Sequence, residues 1–206
     1  GIRAVKPPLG RPPDRPWPLA NQAHDALAAL ADGMTIRLEP SAQGIDRYGR
    51  LLAHATREDG RWLQGELLRA GLAQVATTPR SRARAAEMLE IEAEAREARR
   101  GLWASPVYAV RTPMEVSEQV GDFAVVEGAV AGASRVKNRV YLNFGVDWRD
   151  DFTVTVDAAN LPMFEAAGLN PLALAGRRIR VRGWVERYNG PAIEATHPEQ
   201  IEVLAP

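Results

Sequence analysis

The chain has 206 residues with 26 basic and 26 acidic side chains, so its formal net charge is zero. That balance excludes a protein held on polyanions or membranes by overall charge, although a local basic groove remains compatible with it. Hydrophobic residues make up 46%, no apolar run reaches the roughly 18–20 residues of a membrane-spanning helix, and the absence of cysteine removes disulfides, thiolate metal sites and cysteine nucleophiles.

Residues 1–18 contain six prolines and no periodicity, the pattern of an extended arm. Leu19, Ala23, Leu27 and Leu30 then fall at helical spacing, and Gly33 supplies a stop. Alternation of Met34, Ile36 and Leu38 with polar neighbours predicts a strand over 34–40, and a second strand is expected over 50–56. After the Asp59-Gly60 turn, a short helix spans 62–70 and ends at Gly71. An extended piece over 72–76 leads to a longer helix over 80–100, ended by Gly101, with Met88, Ile91 and Ala95 on one stripe. Leu102 and Trp103 are expected to fold back onto the core.

Residues 105–120 read as a linker. Strands are expected over 123–130, 140–146 and 152–156, a short helix over 158–167, and a further strand over 178–185. Asn189-Gly190 is a strong turn signal, followed by short strands over 193–195 and 201–204. Three strands, a helix and at least two further strands is the element order of a small OB-type barrel.

The stretch Asp46-Arg47-Tyr48-Gly49-Arg50-Leu51-Leu52-Ala53 is the strongest local signature. It is followed by Gly65-Glu66-Leu67-Leu68-Arg69-Ala70-Gly71-Leu72-Ala73 and then Arg100-Gly101-Leu102-Trp103. This order resembles a staphylococcal-nuclease-like (thermonuclease) domain over residues 1–104. Residues 121–206, with Tyr141-Leu142-Asn143-Phe144-Gly145 and Arg180-Val181-Arg182-Gly183-Trp184, resemble an OB-like module that follows the nuclease domain in some bacterial members. The implied fold class is α+β, mainly β: a nuclease-like OB-fold whose first three strands are absent from this chain, plus a second small OB-like β-barrel.

The resemblance implies calcium-dependent hydrolysis of nucleic-acid phosphodiesters. That chemistry needs a hard cation on oxygen donors, a carboxylate to activate water, and arginines with forked donors for the phosphate. Arg50 matches one catalytic arginine of the family, and it is the only matched catalytic position. Gly1-Ile2-Arg3-Ala4-Val5-Lys6 stands where the family has a Gly-Ile-Asp-Ala-Pro-Glu loop, which places Arg3 at the metal-binding aspartate and Lys6 at the general base. The family's two nucleotide-pocket tyrosines fall near Thr77 and Pro79. No metal or cofactor is therefore expected unless residues upstream of Gly1 restore the calcium site. Three accounts of the missing strands stay open: upstream residues, a partner chain covering the open barrel edge, or packing of that edge on the second module.

Arg50 reads either as a phosphate ligand or as half of a turn pair with Asp46, and Tyr48 either as a substrate contact or as packing. Arg178, Arg180 and Arg182 share one strand face. With Tyr141, Phe144, Trp148, Trp184 or Tyr188 for stacking, that face suits a nucleic-acid backbone; the other reading is a solvated outer face over Ile179, Val181 and Val185. His24, His54 and His197 lack metal spacing. Asp147, Asp150 and Asp151 read as a solvated loop. The expected function is that of a catalytically impaired thermonuclease-family protein acting as a nucleic-acid-binding or protein-scaffold module. Its alternatives are an accessory subunit of a larger complex, or an active calcium nuclease completed upstream. Members of the family it resembles are often exported, so the periplasm or an extracytoplasmic surface is the expected location.

Overall fold

The computed structural model describes residues 1–5, 17–46, 49–147 and 149–205. The chain divides between Ala109 and Val110 into two units. Residues 105–120, expected as a linker, belong to both. In unit 1 the Tyr108 hydroxyl donates to the Pro18 carbonyl at 3.2 Å. In unit 2 the backbone of Arg111 bonds to Val125 and Glu127, and Val116 is fully buried.

Unit 1 comprises β1 (Ile2–Ala4), α1 (Ala20–Ala31), β2 (Ile36–Ile45), β3 (Leu51–Arg57), α2 (Leu63–Arg69), β4 (Ala73–Val75) and α3 (Ala85–Glu97). The expectation that no strand precedes the first helix is corrected by β1. It pairs antiparallel with β4, with Ile2 opposite Val75 and Ala4 opposite Ala73. The Gly1 carbonyl extends this ladder by accepting from the Ala76 amide at 2.9 Å. Leu68, Val75 and Met88 are completely buried in the core between α2, β4 and α3.

Helix α2 stops as expected. Gly71 takes φ +67°, its amide bonds to the Leu68 carbonyl, and the Leu72 amide bonds to that of Leu67, a Schellman cap. Helix α3 is shorter than expected at both ends. Thr78 and Ser81 form a bridge before it, and Arg84 sits at φ 56° just ahead of its first turn. Its C-terminus closes at Arg99, with φ 51°, rather than at Gly101; the Arg99 and Arg100 amides bond to the carbonyls of Arg96 and Ala95. Gly101 serves instead the close approach of two backbones, where the Leu102 amide donates to the Gly71 carbonyl at 2.8 Å.

Strands β2 and β3 pair antiparallel, with Leu38 opposite Ala55, Glu39 opposite His54 and Ile45 opposite Leu51. Side chains alternate across such a ladder. His54 therefore turns inward to Trp62, while Leu38, Ile45 and Leu51 share the other face at 51%, 57% and 50% exposure. The described residues of unit 1 form two separate strand pairs.

Unit 2 comprises β5 (Phe123–Ala129), β6 (Gly132–Val136), β7 (Arg139–Asn143), β8 (Thr153–Asp157), α4 (Leu161–Ala166), β9 (Arg178–Tyr188), β10 (Gly190–Glu194) and β11 (Ile201–Val203). Hydrogen bonds connect them in the order β6–β7–β8–β10–β9–β5, with β11 on the other edge of β9 and β8–β10 as the parallel pair. Only Val130 and Ala131 separate β5 from β6, so one bent segment joins the two ends of the path. This is the strand order of an OB-fold. The ring is completed by the chain, and no ladder closes it among the described residues. Val140, Leu142, Val154, Val156, Ile179 and Val181 are fully buried inside it.

Candidate functional site

Arg50 forms the turn pair that its neighbour Asp46 permits. Its amide donates to Oδ1 at 2.9 Å and its Nε to Oδ2 at 2.7 Å, while Gly49 takes φ +78° to close the loop. The guanidinium side chain is 66% exposed, so the pair stands at the surface. Arg3 lies on β1 opposite Gln74. Tyr48 and Lys6 fall outside the described residues.

The arginine strand is an ionic cluster. Arg180 of β9 stands opposite Glu127 on β5 and opposite Glu202 on β11. Its Nη2 donates to Glu127 at 2.8 Å and its Nη1 to Glu202 at 3.3 Å. Arg178 Nε donates to the other Glu127 oxygen at 3.0 Å, and Arg182 Nη2 donates to Glu202. Arg182 is 1% exposed. Burial pushes the Glu127 carboxyl up, but the hydrogen bonds and charges of Arg180 and Arg178 hold it below the ordinary carboxylate range. Cross-strand pairing thus accounts for these side chains. A phosphate reaching Arg180 or Arg182 would have to displace a carboxylate.

The aromatic candidates separate. Trp184 stands opposite Phe123 and meets it edge-on at 6.2 Å, on the β5 side of β9. Phe144 stacks obliquely on buried Phe152 at 5.0 Å. Trp148 is outside the described residues. Tyr188, at the end of β9, is brought beside Tyr141 of β7. The neighbouring Tyr188 phenol, with some burial, holds the Tyr141 phenol above its ordinary range. Tyr141 and Tyr188 line a cavity of about 360 Å³ together with Ser134, Asn143, Thr153 and Asn189. Sequence reasoning missed these four polar residues. The alternation of buried Val140 and Leu142 with Tyr141 and Asn143 was the available signal.

His54 and His197 are structural, whereas His24 is exposed beside Asp25. Trp62 Nε1 donates to His54 Nδ1 at 3.2 Å, His54 Nε2 lies 3.0 Å from the Ala83 carbonyl, and burial lowers the imidazole pKa. The Arg84 guanidinium covers the Trp62 ring at 3.4 Å. His197 is buried beside Thr196 and precedes the turn at Pro198–Gln200. The acidic loop caps itself, since Asp151 accepts from the Asp147 amide at 2.8 Å and Asp147 from the Arg149 amide at 3.1 Å.

Two strand pairs among three helices, with the Asp46–Arg50 turn and the Gly71–Gly101 contact, make unit 1 an α+β domain of nuclease-like type. The family model described as staphylococcal nuclease homologue matches residues 5–105, and this N-terminal half of the chain belongs to that family. The match begins beyond Arg3. No curated protein matches the chain. Among the described residues no helix is long and apolar enough to cross a membrane.

Proposed function

We propose that this thermonuclease-family protein binds single-stranded nucleic acid and leaves the phosphodiester intact. The observation that carries this reading is the OB strand order of unit 2, which brings Tyr141 and Tyr188 to one cavity on the outer face of the sheet. OB-folds use aromatic platforms of this kind to stack successive bases of a single strand. Unit 1 supports the absence of hydrolysis. Calcium takes six to eight oxygen donors, whereas Arg3 presents a cation on β1 and Arg50 is engaged by Asp46. Among the described residues no group of three His, Asp or Glu side chains is placed to hold a metal ion. The protein should be retained on single-stranded DNA at low salt and released as salt rises, because phosphate contacts release counterions. No retention at low salt would sink the reading.

A second reading, docking of a protein partner on unit 1, is supported by the exposed apolar face of Leu38, Ile45 and Leu51 on β2–β3. Among the described residues β2–β3 is a two-stranded ladder, and an open strand edge invites strand addition. A partner captured by the full chain should be lost with Leu38→Glu. Capture unaffected by that change would remove this face from consideration.

A further inference from the structure

The cavity at Tyr141 and Tyr188 has a location and a chemistry that narrow what enters it. Val140 and Leu142 of β7 point into the core, so Tyr141 and Asn143 point out from it. Tyr141 lies opposite Ser134 on β6 and Thr155 on β8, and Asn143 lies opposite Thr153. The far wall is the β9–β10 turn, where Asn189 takes φ 61° and Tyr188 pairs with Gly190. The cavity therefore lies outside the second and third strands of the OB order, between the β6–β7 turn and the β9–β10 turn. Those are the face and loops with which OB-folds hold oligonucleotides and oligosaccharides.

Its lining favours an unpaired base. Tyr188 is 52% exposed, and the Arg139 guanidinium lies 6.0 Å from its ring centroid. Thr153 donates to Asn143 Oδ1 at 3.4 Å, which leaves the Asn143 amide nitrogen as a donor at the cavity wall. Asn189 and Ser134 add further donors and acceptors. A volume of about 360 Å³ suits a nucleobase with its sugar and is too small for a base pair with both backbones. Lys137 is exposed on the β6–β7 turn that flanks the cavity, a position suited to a phosphate beside the base. In a duplex the base faces are stacked away, so only a single strand offers what the cavity takes.

We propose that this cavity is a stacking subsite for one unpaired base of a single-stranded nucleic acid. It rests on the nucleic-acid reading above and assigns that binding to a place distinct from unit 1 and from the arginine cluster of β9.

The test uses the full chain and a fluorescein-labelled single-stranded oligothymidylate, with the same oligonucleotide in duplex as comparison. Base stacking on an aromatic residue carries a 5- to 150-fold effect on affinity, in round numbers. Tyr188→Ala should weaken single-strand binding by roughly that factor, and Tyr188→Phe should retain most of it because the ring remains. Ser134→Trp, at an exposed strand position, should block the cavity and weaken binding without opening the core. A 2-aminopurine placed in the strand should be quenched by the unaltered protein and less so by Tyr188→Ala. Full affinity and unchanged quenching in both Tyr188→Ala and Ser134→Trp would overturn the subsite while leaving nucleic-acid binding in place. Preference for the duplex, or for a soluble oligosaccharide over the single strand, would overturn it as well. Failure of the unaltered protein to bind any oligonucleotide would remove the broader reading together with the subsite.

Discussion

Gly71→Ala is expected to destabilise unit 1 by about 2–5 kcal/mol, the sum of a strained left-handed residue and a steric overlap that cannot relax. Gly71 sits at φ +67°, and a Cβ built there would overlap the carbonyl of Arg100. The obstacle is backbone, so no rotamer change relieves it. The reciprocal contact is equally close, because a Cβ on Gly101, at φ +52°, would overlap the carbonyl of Gly71. These glycines hold the end of α2 against the chain leaving α3 and fix the Leu102 amide on the Gly71 carbonyl. Leu102, fully buried, depends on that seam for its place. Gly33 provides the control. Its φ of +69° is almost the same, but a Cβ there meets nothing within 4 Å. Gly33→Ala should therefore cost only about 1–2 kcal/mol, the conformational share alone. Urea unfolding of the two variants followed by amide exchange in α2 and α3 separates them. Equal losses would show that the backbone seam contributes nothing.

Glu202→Ala is expected to destabilise unit 2 by about 2–4 kcal/mol, because it removes a carboxylate that bonds the buried guanidinium of Arg182. Arg182 is 1% exposed, and Glu202 also ties Arg180 to β11. Replacing both members of the pair, with Arg182→Met and Glu202→Leu, should recover part of the loss because the buried guanidinium goes with its carboxylate. Acid should weaken the same cluster. Glu127 has a folded pKa below its unfolded value, so its contribution is fully present above about pH 4.3 and is lost as pH falls through the lower folded value. Glu127→Gln should flatten that part of the acid-unfolding profile. A profile unchanged by the substitution, or a double variant as unstable as Glu202→Ala, would contradict the structural role of the arginine strand.

The sequence made some of this arrangement legible and withheld the rest for identifiable reasons. The alternation of Ile179, Val181 and Val185 with Arg178, Arg180 and Arg182 shows that β9 has two faces, and the apolar set is indeed buried. What the charged face does was not legible. Its partners Glu127 and Glu202 lie 51 to 53 and 20 to 22 residues away and become neighbours only through the strand order. The stop at Gly71 follows from local chemistry, whereas the cap at Arg99 defeats it, since an arginine carries no left-handed preference. Strand β6 went unread because Gly132-Ala133-Ser134 has neither alternation nor β-branched residues, and it became visible only as a continuation of β5. The cavity at Tyr141 and Tyr188 depends on β6 and on the Asn189-Gly190 turn together, so it was beyond the reach of either signal alone.

The claim that the chain binds a single strand without cutting it is tested most directly with a 5′-labelled single-stranded DNA titrated in calcium and in EDTA. Binding is read by anisotropy, and strand length afterwards on a denaturing gel. Binding should weaken with salt, with equal affinity in calcium and EDTA and full-length oligonucleotide in both. Calcium-dependent shortening of the strand, abolished by Arg50→Ala, would contradict it.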